Sequence, residues 1–262
     1  MSGTSNRDVS QDAAATSNGR PSERASASPA RVGDRVPPEA PPGASQIFGS
    51  RLPLAEAFTS ILADSGVSHG LIGPREVPRL WERHVLNCAV IHPSIAEGQM
   101  VIDVGSGAGL PGLALAIARP DLDLHLVEPM LRRTNWLSMV VAELGLTNVT
   151  VHRGRAEELW GILAAPVVTA RAVAPLGQLA TWCLPLLQPG GCLLAIRGLS
   201  VAAEVEAERM VLRRLGAVDE VIEQFGLGIV DQETTVLRVI LGIPPPRGSV
   251  ARKKKSRRKR RA

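Results

Sequence analysis

Asp103, Gly105, Gly107 and Gly109 occupy alternate positions in "VIDVGSGAGLPGLAL", residues 101–115. The apolar run before them reads as a strand and the run after them as a helix, so the glycines fall at a strand-to-helix seam. Glycine there lets the backbone turn sharply and lie against a ligand with no Cβ in the way. Two ligand classes compete for the seam. Counted from Gly107 through Gly109 and Gly112, the stretch satisfies G-x-G-x-x-G, the dinucleotide pattern. Counted from Gly105, it is G-x-G-x-G with a carboxylate two residues ahead.

Two acidic residues weigh between these readings. Glu128 ends the next apolar run, "LDLHLVE", where a carboxylate can accept hydrogen bonds from both hydroxyls of a ribose. NAD and S-adenosylmethionine both carry that diol, so Glu128 does not separate them. Asp103 does. A carboxylate at the loop repels a pyrophosphate, which wants amides and a helix N-terminus. It suits a sulfonium ligand with an α-amino group, accepting hydrogen bonds from loop amides or holding the amino group through water. Pro111 suits the first turn of the following helix, which makes the Gly107 match a by-product of helix entry.

Little else in the chain carries chemistry. Cys88, Cys183 and Cys192 form no C-x-x-C pair and no metal-ligand spacing. Scattered among apolar residues, they read as small buried hydrophobes in a reducing compartment, and no metal is expected. The N-terminus has no hydrophobic stretch, and the apolar run at 176–196 is broken by "QPGG". Each half is too short to span a bilayer, so the expectation is a cytoplasmic protein without a membrane partner.

The elements that must hold these residues follow from the patterning. Of 262 residues 45% are apolar but only 3% aromatic, with no Tyr, so the core is built from Leu, Val, Ile and Ala. Residues 1–45 contain no Leu, Ile or Phe and are expected to be disordered. Residues 244–262 are expected to be a disordered basic tail: from 247 onward there are ten Lys and Arg and no acid, so the net +5 conceals a remainder of −5. A folded domain is expected over 46–243, with a helical extension at 46–99 and a Rossmann-like core at 100–243. From Met100, short apolar runs alternate with helical periodicity, which implies a doubly wound α/β fold with a parallel sheet and helices on both faces. The last run, "TTVLRVILGI", follows another strand rather than a helix and is free to return antiparallel.

The sequence also resembles a known family. "VIDVGSGAGLPGLAL", "LVEP…RR", "RGRAEEL" and "TARAVAPL", in this order, are similar to the bacterial 16S ribosomal RNA guanine-N7 methyltransferases, also called glucose-inhibited division protein B. The resemblance covers about 46–242. "WERHVLNC" is similar to the family's His-containing segment, although Asn87-Cys88 stands where an Asp-Ser pair is usual, and Gly70-Leu71-Ile72 where Asn-Leu-Thr is usual.

The resemblance implies a class I S-adenosylmethionine-dependent methyltransferase acting, as a monomer, on the 16S rRNA of the small ribosomal subunit. It implies a cofactor site with Gly105 and Leu110 at the amino-acid end, Gly107 in the same loop, Glu128 at the ribose, and Ala156 and Glu157 at the adenine. Arg171 is expected to position a phosphate or the cofactor's carboxylate. Nitrogen 7 of guanine has a lone pair and no proton, so no catalytic general base is expected; proximity and in-line alignment can supply most of the rate. For RNA, Arg132, Arg133, Arg153, Arg155, Arg171 and Arg197 are the expected cations, with the tail binding by charge alone. His84 is expected to pack a helix. The competing readings are an NAD-dependent oxidoreductase and a non-catalytic RNA-binding protein.

Overall fold

Period-two burial sorts the central strands' side chains onto two faces. Val101, Leu124, Leu126, Val167 and Leu194 join one buried cluster, while Ile102, Val127, Val168, Leu193 and Ala195 join a second. Successive residues of one strand point to opposite sides of a sheet, so a run apolar at every position is a strand covered on both faces.

The computed structural model describes residues 36–171 and 173–243. The expected basic tail and the first 35 residues of the expected disordered segment lie outside them. Order begins earlier than the composition boundary at 45: helix α1 spans Pro42–Phe48, with Ala44, Ile47 and Phe48 buried. Its two large apolar residues meet the core, which the Ser- and Pro-rich composition upstream obscured.

Helix α2, Leu52–Ile61, follows and runs into a π-helical turn at Leu62–Gly66. Within the expected helical extension, "GPREVPRLWERHVLNC" is not one regular α-helix. Pro74–Arg79 is 3-10, Leu80–Leu86 is π-helical, and Asn87–Ala89 closes it as the short α3. Pro74 and Pro78 remove amide donors from the first part, which breaks the i to i−4 ladder.

The strands are β1 Met100–Val104, β2 Asp123–Glu128, β3 Val149–Arg153, β4 Ala165–Arg171, β5 Leu187–Arg197, β6 Ala217–Phe225 and β7 Thr234–Leu241. Between them lie α4 Gly112–Ala118, α5 Leu131–Glu143, α6 Leu176–Cys183 and α7 Val201–Arg214. The sheet order is β3-β2-β1-β4-β5-β7-β6. β1 to β5 pair parallel, and β7 inserts antiparallel between β5 and β6. This is the doubly wound α/β sheet expected from the alternation. The α1 to α3 region, α4 and α5 pack with one cluster, and α6 and α7 with the other. No described helix is long and apolar enough to cross a membrane.

Strand order reverses between β1 and β4. The chain leaves β1 toward β2 and leaves β4 toward β5, so the connections diverge and open a crevice at the strands' carboxyl ends.

Candidate active site

The crevice starts at the loop after β1. Gly105 has φ +73°, and a Cβ there would stand 2.8 Å from Cγ1 of Val173; only glycine combines that dihedral with that approach. The amides of Gly105 and Ser106 both donate to the Val127 carbonyl, at 2.8 and 3.2 Å. Ser106 Oγ donates to the Asp103 carbonyl at 2.9 Å. The loop is thus tied to its own strand and the next one.

Asp103 is wholly buried. Its Oδ2 accepts the Gly112 amide at 3.0 Å, and its Oδ1 accepts the Thr169 hydroxyl at 3.4 Å. Of the two roles expected of it, the structure shows the first: it accepts a main-chain amide and pins the start of α4 to β1 and β4. Burial pushes its carboxyl up to about 6, although the bonds from Gly112 and Thr169 and the charge of Arg171 pull it down. A Cβ at Gly112 would collide with Leu126 and with the Asp103 carboxylate, so that glycine serves packing.

Glu128 is 2% exposed. Its Oε2 accepts the Gly107 amide at 3.1 Å and its Oε1 accepts the Met130 amide at 3.0 Å. Arg133 Nη1 stands 3.6 Å away. Two main-chain amides and one guanidinium compensate the desolvated charge.

A cavity of about 120 Å³, walled by Gly105, Val127, Pro129, Ala156, Val173 and Trp182 with Glu157 on its lining, includes both chain neighbours of Glu128. Ala156–Leu159 is a 3-10 turn, and Trp160 Nε1 donates to the Trp182 carbonyl at 3.1 Å, joining that turn to α6. Largely apolar walls with an acidic residue on the lining suit an apolar ring bearing amino hydrogens. Val173, Pro129 and Trp182 were not singled out from the sequence. Val173 lies inside "RAVAPL", whereas nothing in α6 marks Trp182 apart from an ordinary core aromatic.

Of the residues expected at the cofactor, Gly105, Ala156 and Glu157 line this cavity, while Gly107 and Glu128 are bonded to each other next to it. Leu110 does not line this cavity: it is 4% exposed and packs in the core, its amide bonded to the Ser106 carbonyl. Arg171 does not line it either. It faces a second cleft, of about 510 Å³, together with Arg83, His84, Asn87, Arg197 and Glu204. There Arg171 Nη1 donates to the Arg83 carbonyl at 3.1 Å, and its Nη2 lies 3.2 Å from His84 Nδ1. Asn87, at one of the departures from the family pattern, donates to Thr234 Oγ1 at 2.7 Å and fastens this segment to β7. Its neighbour Cys88 is buried, its thiol pushed up to about 11.

The expected RNA cations divide. Arg132, Arg153 and Arg155 are exposed. Arg133 is committed to Glu128. Arg197, its side chain 9% exposed, is ion-paired with Glu204 and donates to the Ala174 carbonyl at 2.9 Å. It is not a free cation for phosphate, because a buried guanidinium at a strand end needs its partners inside the protein.

Comparison with known proteins bears on this geometry. The family model described as rRNA small subunit methyltransferase G matches residues 51–233. A ribosomal RNA small subunit methyltransferase G of Streptomyces avermitilis is 52% identical over 231 residues, covering 85% of this chain and 97% of that one. The protein of the same name from an Arthrobacter species (strain FB24) is 56% identical over 198 residues, 76% of this chain and 92% of that one. A solved structure of M. jannaschii TYW2 in complex with AdoMet is 14% identical, with a TM-score of 0.49, covering 62% of this chain and 76% of that one. The family model and the close relatives agree, and the chain belongs to the rRNA small subunit methyltransferase G family.

Proposed function

We propose that the chain transfers a methyl group from S-adenosylmethionine to nitrogen 7 of a guanine in 16S rRNA. The family match carries the choice of cofactor, and one observation carries its placement: Glu128, 2% exposed and held by the Gly107 and Met130 amides, lies between Val127 and Pro129 of the cavity that Gly105, Ala156 and Glu157 also line. In this reading Glu128 accepts the ribose hydroxyls, Ala156 and Glu157 hold the adenine, and the turn at Gly105 gives the backbone its close approach. Bound there, the cofactor supplies an electrophilic methyl group on a sulfonium. The chain's own work is to bind and orient. Arg171 belongs to the substrate side, since it opens on the neighbouring cleft, and a guanidinium there suits a phosphate of the RNA better than the cofactor's carboxylate. Arg132, Arg153 and Arg155, exposed at the carboxyl end of the sheet, add backbone contacts.

Calorimetry with S-adenosylhomocysteine and NADH tests the cofactor. The expected result is one site for S-adenosylhomocysteine, weakened in Glu128→Gln, and no heat with NADH. Binding of NADH without response to S-adenosylhomocysteine would restore the dinucleotide reading.

A further inference from the structure

The cleft beside Arg171 contains a three-residue hydrogen-bonded chain. Glu76 Oε2 stands 3.0 Å from His84 Nε2, and His84 Nδ1 stands 3.2 Å from Arg171 Nη2. A guanidinium has only donors, so Nδ1 must be the accepting lone pair. The ring's single proton is then on Nε2 and points at Glu76. Only this neutral tautomer satisfies both contacts. A proton added at Nδ1 would set an N–H against an N–H and a cation against a cation.

The surroundings press the same way. Burial lowers the His84 pKa most, then the charge of Arg171, with Arg83 adding to it; the hydrogen bond and charge of Glu76 oppose them. Glu76 is itself held below the usual carboxylate range, first by its bond to His84; desolvation opposes this, and the charges of Arg83, His84 and Arg79 add to it. Arg83 also pairs with Glu76 at 3.3 Å. From β5 and α7, Arg197 and Glu204 line the same cleft but are paired with each other. Two of the five N–H donors of Arg171 are used, on Arg83 and His84. Among the described residues the remaining three have no partner, and they are available to a ligand.

We propose that Glu76 and neutral His84 are a positioning pair that aims Arg171 into the cleft to receive a phosphate of the RNA substrate, and that protonation of His84 releases it. The role rests on the methyltransferase reading above; the geometry does not. His84 touches no reacting atom and acts only through Arg171.

Two measurements test the pair. The first is the ring itself, by nitrogen-15 NMR of His84 across a pH titration of the full chain. The expected state is the Nε2–H tautomer with a depressed pKa that rises in Arg171→Ala. An Nδ1–H tautomer, or a titration indifferent to Arg171→Ala, overturns the geometry. The second is the pH profile of methyl transfer to small ribosomal subunits by wild type, His84→Gln and His84→Ala. Gln can accept from Arg171 and donate to Glu76 without titrating. Relative to wild type, His84→Gln should gain activity as the pH falls below about 6.5, through KM for the subunit rather than through affinity for S-adenosylhomocysteine. His84→Ala should lose roughly tenfold or more at neutral pH, again in KM. Parallel profiles for wild type and His84→Gln, or losses that follow S-adenosylhomocysteine affinity or melting temperature instead, overturn the role. A wild-type chain that methylates no rRNA at any pH refutes the proposed function instead, and the ring titration still decides the geometry.

Discussion

Asp103 is wholly buried, and burial raises its carboxyl to about 6 from an ordinary 3.8. For an acid with a raised folded pKa, the stabilising contribution is complete below the unfolded value and is lost as the pH rises through the folded one. Asp103 therefore costs stability at neutral pH. Asparagine can still accept the Gly112 amide and donate to Thr169. Asp103→Asn should gain about 2 kcal/mol on wild type between pH 4 and pH 8, measured by denaturant unfolding. A constant difference across that range would mean that the folded and unfolded chains ionise alike. Arg171 obeys another logic. It opens on a cleft, so Arg171→Ala should remain folded by circular dichroism, losing about 1–3 kcal/mol with its two contacts. Methyl transfer should fall at least tenfold, since a charge-assisted contact to phosphate contributes about 1.5–3 kcal/mol. A fully active variant would remove Arg171 from the site.

At the scale of elements, the β1 loop and α4 form one unit. Gly105 and Ser106 hang from Val127, Gly107 from Glu128, and Gly112 from Asp103. Gly112→Ala would drive a Cβ into Leu126 and the Asp103 carboxylate, and should cost about 1–3 kcal/mol of stability. Its S-adenosylhomocysteine affinity should fall as well, because the loop and helix start move together. A melting curve and a titration on the same variant check both. This unit was legible in the sequence because its signals are local: period-two apolar runs, glycines at a turn and an acid at the end of each of two strands. The 3-10 and π-helical course of Pro74–Leu86 was not, because two prolines and tertiary packing override the periodicity there. Nor was the split between Arg171 and Arg197. Both are arginines at a strand's carboxyl end, and only the spatial nearness of Glu204, His84 and the Arg83 carbonyl decides which is sealed and which faces a ligand. Likewise Glu76 and His84, eight residues apart across an irregular turn, show no spacing that a regular helix would explain.

Over the whole chain, the positive charge is concentrated in one stretch of the sequence. Ten Lys and Arg lie in 247–262, while the rest of the chain sums to −5. An enzyme whose affinity for RNA comes partly from such a segment binds with a steep salt dependence. Removing 247–262 should flatten that dependence and weaken binding at low salt, while S-adenosylhomocysteine affinity and the product of methyl transfer stay the same. If all function vanished with the tail while Gly105→Asp remained silent, the chain would be an RNA-binding protein without catalysis. The central claim is that the cavity beside Glu128 and the cleft beside Arg171 together serve one guanine of 16S rRNA. Its most direct test is to map N7-methylguanosine in 16S rRNA from cells with the gene, without it, and with Arg171→Ala restored. The account predicts one such guanine in wild type, absent from the deletion and strongly depleted with Arg171→Ala. Identical methylation in wild-type and deleted cells would contradict it.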